Sequence, residues 1–124
     1  MGYESRIIVA VRNQWGHSEV VWFEQLAQMR LACVGGNFTD IFKTEIETDI
    51  YGDGFKENSN EEYTLTEDRY GDVCCYTDIQ TVIDWLEKAE AEEHYRRFTP
   101  AIAMLKAYAA ENWEGDLVVI HYGY

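Results

Sequence analysis

The chain opens on a run that is apolar at consecutive positions. Arg6 to Val11 reads Arg-Ile-Ile-Val-Ala-Val, rich in β-branched residues. Such a run predicts a strand buried on both faces. Leu117 to Tyr122, Leu-Val-Val-Ile-His-Tyr, closes the chain with a second one. Between them the period changes several times. After a turn at Asn13 to His17, Ser18 suits a helix N-cap, and Glu19 in the first turn favours the helix dipole. Val20, Phe23, Leu26, Ala27 and Arg30 then fall on one helical stripe, with Trp22, Met29 and Cys33 beside it. This predicts a helix to about Val34, ended by Gly35-Gly36.

From Phe38 to Tyr51 the pattern has period two. Thr44, Ile46, Thr48 and Ile50 share one face, and Glu45, Glu47, Asp49 and Tyr51 share the other. The expectation is a half-buried strand with an acidic outer face. Gly52-Asp53-Gly54 breaks it, and Lys56 to Asn60 reads as a polar loop. Glu62 to Glu67 reads as a weak strand, Asp68 to Asp72 as a turn, and Val73 to Tyr76 as a short strand or helix lead-in. Asp78 can cap a helix over Ile79 to His94, where Ile79, Val82, Ile83 and Leu86 give the i, i+3, i+4, i+7 signature. Thr99-Pro100 signals another helix start, with threonine as the cap. Ile102, Leu105, Tyr108 and Ala109 supply its apolar stripe, and it should end near Gly115.

This order predicts an α+β fold: a mixed or antiparallel sheet with about three helices packed on one face and the N- and C-terminal strands as central neighbours. Residues 1–124 fit one domain. No repeat or linker interrupts them.

Charge changes the picture most. The chain has 23 acidic and 10 basic residues, a net charge of −13. Asp40 to Asp78 alone holds Asp40, Glu45, Glu47, Asp49, Asp53, Glu57, Glu61, Glu62, Glu67, Asp68, Asp72 and Asp78 against Lys43, Lys56 and Arg69. With 47% apolar and 15% aromatic residues, the acidity does not signal disorder. A field of one sign repels nucleic acids and anionic membranes and attracts basic surfaces. Self-repulsion costs stability, so moderate salt should stabilise the fold by screening exposed charges beyond about 10 Å at 0.1 M.

No apolar run approaches the roughly 20 residues that span a bilayer. The N-terminus lacks the basic and apolar regions of a signal peptide. Three cysteines, Cys33, Cys74 and Cys75, suit a reducing compartment. The expectation is a protein of the host-cell cytosol without cofactor or metal.

Candidate chemistry is sparse. An EF-hand loop from Asp49 fits at Asp53 and Gly54 but fails at Tyr51 and Asn60, so a solvated acidic loop is the better reading. Cys74-Cys75 is not a Cys-x-x-Cys pair, and no second cluster completes four zinc ligands. His17, His94 and His121 are scattered, and buried structural thiols are the default for the cysteines. With so many carboxylates, an acid–base pair carries no signal. Gly35-Gly36 follows an expected helix, the wrong context for a phosphate loop. Arg96-Arg97 suits a helix C-terminus better than a nucleic-acid surface.

The acidic strand face has a geometric argument. Side chains at i and i+2 on a strand lie about 6.6–6.8 Å apart. One DNA strand presents a phosphate every 3.4 Å of rise. Glu45, Glu47 and Asp49 would therefore sit at alternate phosphate rises, and Asp84, Glu87 and Glu90 on a helix would make a second line. The plain alternative is an acidic surface that only confers solubility.

The opening Met1-Gly2-Tyr3-Glu4-Ser5 and the closing Leu117 to Tyr124 segment, ending His-Tyr-Gly-Tyr, resemble a group of small acidic proteins encoded by phages and prophages of Firmicutes. So do Glu67 to Asp72 and His94 to Phe98. The resemblance covers most of the chain and carries no catalytic residue. It implies a phage origin, and by class analogy an anti-CRISPR or anti-restriction role.

The leading expectation is thus a non-enzymatic inhibitor that occupies the basic nucleic-acid channel of a host defence nuclease, such as a CRISPR effector, without itself binding nucleic acid or membrane. Its contact residues would be Glu45, Glu47, Asp49, Asp53, Glu61, Glu62, Glu67 and Asp68, with aromatic anchors among Tyr51, Phe55, Tyr63 and Tyr70. A second expectation is a binder of signalling nucleotides using Arg6, Arg12, Arg30, Arg69, Arg96 and Arg97. A third is an enzyme whose pocket holds a histidine near Cys33, Cys74 or Cys75. A fourth is a phage-internal interaction module that pairs as a homodimer through an exposed strand edge.

Overall fold

The computed structural model describes residues 5–14, 21–31, 34, 37–46, 50–52, 63–65, 72–93 and 97–123. They form seven strands, β1 (Ser5–Gln14), β2 (Val21–Leu31), β3 (Thr44–Glu45), β4 (Ile50–Gly52), β5 (Tyr63–Leu65), β6 (Cys75–Asp78) and β7 (Asp116–Gly123), and two helices, α1 (Ile79–Glu93) and α2 (Thr99–Ala109). The strands make one sheet in the order β3-β6-β7-β1-β2-β4-β5. The five from β3 to β2 are antiparallel, and β4 joins β2 in parallel. The fold is α+β with a mixed sheet.

β1 and β7 are neighbours at its centre, as the two apolar runs predict. Ile7 faces His121 across the ladder, and Val9 faces Val119. Ile7, Val9 and Val119 point to the side where Val82, Ile83 and Leu86 of α1 and Ala101, Ile102 and Leu105 of α2 complete a core. Ile8, Ala10, Val118 and Ile120 point the other way, into a second core with Phe23, Ile46 and Cys74. Both faces of the central strands are buried, which is why their sequences are apolar without alternation.

The expected helix over residues 18–34 is corrected: residues 21–31 are strand β2. The register explains the pattern. Val9 pairs with Ala27 but Ala10 pairs with Gln25, so Leu26 is an extra residue, a β-bulge. A bulge switches which face alternate residues take. Val21 and Phe23 enter the second core, whereas Leu26, Ala27 and Met29 pack against the helix-side core. Two period-two runs joined out of phase place apolar residues at 23, 26 and 27, the spacing of a helical stripe. The β-branched and aromatic run Val20 to Phe23 is the local signal for strand.

The continuous strand expected from Phe38 to Tyr51 is also corrected. Phe38–Ile41 is a single 3-10 turn, with Asn37 O accepting from Asp40 N–H at 3.0 Å. Phe38, Ile41 and Phe42 all meet the helix-side core, an i, i+3, i+4 spacing that a turn satisfies. β3 is only two residues long and lies at one edge of the sheet, whereas β4 lies near the other.

That separation bends the sheet. In a flat sheet β3 and β4 would stand five inter-strand spacings apart, about 24 Å. Glu45 and Ile50 are joined by five links that reach at most about 18 Å. Register widens the mismatch, because Glu45 sits on the Cys75–His121–Ile7 row and Ile50 on the Phe23–Arg12 row. The sheet therefore curls, and Ile46, still tied to its edge by an N–H donated to Cys74 O at 3.0 Å, turns its side chain into the second core. That core is drawn from the strands and their ends alone, with no residue of α1 or α2 in it.

The helices follow their signals with two differences. Asp78 caps α1: its Oδ2 accepts from Thr81 N–H at 3.3 Å, and its Oδ1 accepts the Thr81 hydroxyl. Thr99 is not the cap of α2 but its first residue; Phe98 holds the cap position. The Thr99 hydroxyl instead donates to Glu90 Oε1 at 2.7 Å. α2 ends at Ala109, before Gly115, and Trp113 Nε1 folds back to donate to Tyr108 O at 2.8 Å. Gly115 has φ +141°, and a Cβ there would lie 2.8 Å from Val11 Cγ1 and 2.9 Å from Arg12 O. A side chain would force β7 away from β1 at this entry.

Candidate functional site

Of the eight acidic residues expected to meet a partner, the described structure places one. Glu45 stands exposed on β3, the edge strand, beside exposed Lys43 and Thr44. Glu47, Asp49, Asp53, Glu61, Glu62, Glu67 and Asp68 lie outside the described residues, as do Phe55 and Tyr70. Tyr51 and Tyr63 lie on β4 and β5, which pair as an antiparallel hairpin with Tyr51 opposite Thr64 and Gly52 opposite Tyr63. Residues 50–52 of the segment tested as a calcium loop are thus strand. Glu45 and Tyr51 do not share one straight strand face.

The helix acids have structural duties. Glu87 Oε2 receives Lys106 Nζ of α2 at 3.5 Å, and Glu90 receives Thr99. Asp84 Oδ1 accepts from Gln80 Nε2 at 2.8 Å. Two of the three acids in this line therefore tie α1 to α2, which sequence reasoning had no long-range information to show.

The chemistry-bearing row runs across the sheet on the helix side. Glu45 faces Cys75, Cys75 faces His121, and His121 faces Ile7. His121 is buried. Its Nε2 lies 2.8 Å from Ser5 Oγ, and its ring packs beside Phe38 and Phe42 at centroid distances of 5.9 and 5.2 Å. Cys74 points into the second core while Cys75, half-buried, points to the helix side and donates weakly to Val73 O at 3.7 Å. Burial, with the Glu45 carboxylate adding to it, pushes the Cys75 thiol up. A nucleophilic cysteine needs the opposite environment, one that favours the thiolate. Cys33, His17 and His94 lie outside the described residues.

Among the described residues no group of three His, Cys, Asp or Glu converges on a point that could hold a metal ion. No helix among them is long and apolar enough to cross a membrane. A cleft of about 310 Å³ lies along α1, between Asn37, Trp85, Lys88, Ala89 and Glu92. A second, of about 230 Å³, opens on the sheet between Arg6, Gln28, Met29 and Arg30. Arg97 lies with its guanidinium 4.6 Å from the Phe98 ring centroid, in the turn between the helices.

Comparison of the chain with protein-family models, with curated proteins and with solved structures finds no match.

Proposed function

We propose that this chain acts as an acidic binding protein that occupies a basic, nucleic-acid-holding channel of a host defence nuclease and blocks it. One observation carries the reading. Every Asp and Glu whose side chain is described lies at the surface, with Glu90 alone half-buried, whereas Arg6 and Arg12 are half-buried. The fold presents its carboxylates and draws in part of its cationic charge. With a net charge of −13, such a surface steers a basic partner and speeds its association by orders of magnitude at low salt. The curled sheet makes the support rigid, which limits the ordering cost of binding.

The Asp40–Asp78 stretch is the intended contact, with Asp40, Glu45, Asp72 and Asp78 its exposed described acids. Its test is the triple reversal Glu45→Lys, Glu47→Lys and Asp49→Lys. The variant should keep the wild-type circular dichroism and melting curve yet lose capture of basic nucleases from host lysate. Undiminished capture would sink the reading.

A further inference from the structure

Trp85, Lys88, Ala89 and Glu92 stand at i, i+3, i+4 and i+7 on α1, so they share one face of the helix. Asn37, just before the Phe38–Ile41 turn, joins them around the 310 Å³ cleft. Each contributes something different. The Trp85 indole packs on the Phe38 ring at a centroid distance of 4.9 Å, so its position is set from the core side. The indole is only half-buried, and it lines the cleft. Ala89, with a methyl alone, leaves room on the stripe between Trp85 and Glu92. Lys88 and Glu92 are exposed and one turn apart, and neither forms an ion pair among the described residues. Lysine precedes glutamate here, the order in which such a pair attracts less. The Asn37 side chain makes no capping hydrogen bond to its own turn, so its amide remains for a ligand.

We propose that this cleft binds a free α-amino acid with an aromatic side chain. The ligand's carboxylate accepts from the Lys88 ammonium, and its own ammonium donates to the Glu92 carboxylate, both as charge-assisted hydrogen bonds. Its ring packs offset or edge-on against the Trp85 indole. The Asn37 amide can donate to the same carboxylate. One cation and one anion in the cleft select a ligand of no net charge. That selection suits the rest of the molecule. A phosphorylated ligand would meet the field of a chain with net charge −13, with one lysine to offset it, whereas a zwitterion is not repelled. The volume lies at the lower end of the roughly 300–1,000 Å³ of small-molecule sites, which fits a single amino acid better than a larger cofactor. The site is separate from the acidic contact surface and does not depend on that reading.

The probe is L-phenylalanine, titrated into the full chain by calorimetry at constant pH and ionic strength. Wild type should bind it saturably, and so should Lys43→Gln, a change of the same charge at a residue that does not line the cleft. Lys88→Gln and Glu92→Gln should each weaken the midpoint roughly three- to tenfold. Both positions are exposed, so both variants should keep the wild-type circular dichroism and melting curve. Hydrocinnamate, which lacks the ammonium, and phenethylamine, which lacks the carboxylate, should bind wild type more weakly than phenylalanine does. In Lys88→Gln the preference for phenylalanine over phenethylamine should shrink, because the carboxylate has lost its cation. No saturable binding of phenylalanine, or equal binding by wild type and Lys88→Gln, would overturn the site. Equal binding of phenylalanine and hydrocinnamate by wild type would overturn its assignment to a zwitterion. Lys88→Gln should still capture basic nucleases, so failure here and failure of the acidic surface are told apart.

Discussion

The two faces of the sheet are buried by different means. On the helix side, α1 and α2 lay amphipathic stripes over Ile7, Val9 and Val119. On the other side the core is drawn from the strands and their ends, with Phe23, Ile8 and Ile120 fully buried and Ile46 turned in from the edge beside Cys74. A helix can slide to fill a gap. A curled backbone ladder held by hydrogen bonds on both sides has less freedom to do so. The contrast teaches that equal burial need not mean equal tolerance.

The largest test of that difference is a pair of truncations. Phe23→Ala removes a ring that is 0% exposed and packs edge-on to Tyr76 at 5.4 Å. It should cost about 4–5 kcal/mol in urea unfolding. Leu86→Ala, equally buried under α1, should cost about 2–3 kcal/mol because the helix can settle. Equal losses, scaled for side-chain size, would remove the distinction. Gly115→Ala comes next, at about 2–3 kcal/mol, since its Cβ meets the backbone carbonyl of Arg12 at the β1–β7 join that both cores share. Ser5→Ala touches the helix side alone. It takes the hydroxyl partner from His121 Nε2 and should cost about 1–2 kcal/mol.

The smallest effect uses adjacent thiols that face opposite cores. Cys75, with its thiol pushed up by burial and Glu45, should alkylate slowly at pH 7.5 and faster as pH climbs past the ordinary thiol range of about 8.5. The folded state favours the neutral thiol. Its contribution to stability is therefore complete below the unfolded pKa and is lost as pH rises through the folded one. Cys74, 2% exposed in the second core, should label only when the protein opens, at a rate that tracks global stability. Labelling of Cys74 ahead of Cys75 in the native protein would reverse the assignment of faces.

Much of the helix side was legible in the sequence. Ile79, Val82, Ile83 and Leu86 repeat at helical spacing behind a real Asp78 cap, and the terminal strands announce themselves as apolar runs. The side of the second core was not. Its signal is split by the bulge at Leu26, which turns two strand patterns into one false helical stripe. Its closure depends on the reach between Glu45 and Ile50, a constraint that appears only once β3 and β4 have places in the sheet. The acidic surface was legible as charge but not as geometry: Glu87 and Glu90 proved to tie α1 to α2, and the Cys75–His121 row joins residues far apart in the chain.

The most direct test of the acidic-mimic account is displacement by nucleic acid. Tagged protein, incubated with nuclease-treated host lysate at 100 mM salt, is washed with a double-stranded oligonucleotide, and a parallel sample is washed at 500 mM salt. The account predicts capture of a basic nucleic-acid-handling protein that both washes release. Captured proteins that survive both washes, or no capture by a protein that is folded by circular dichroism, would contradict it.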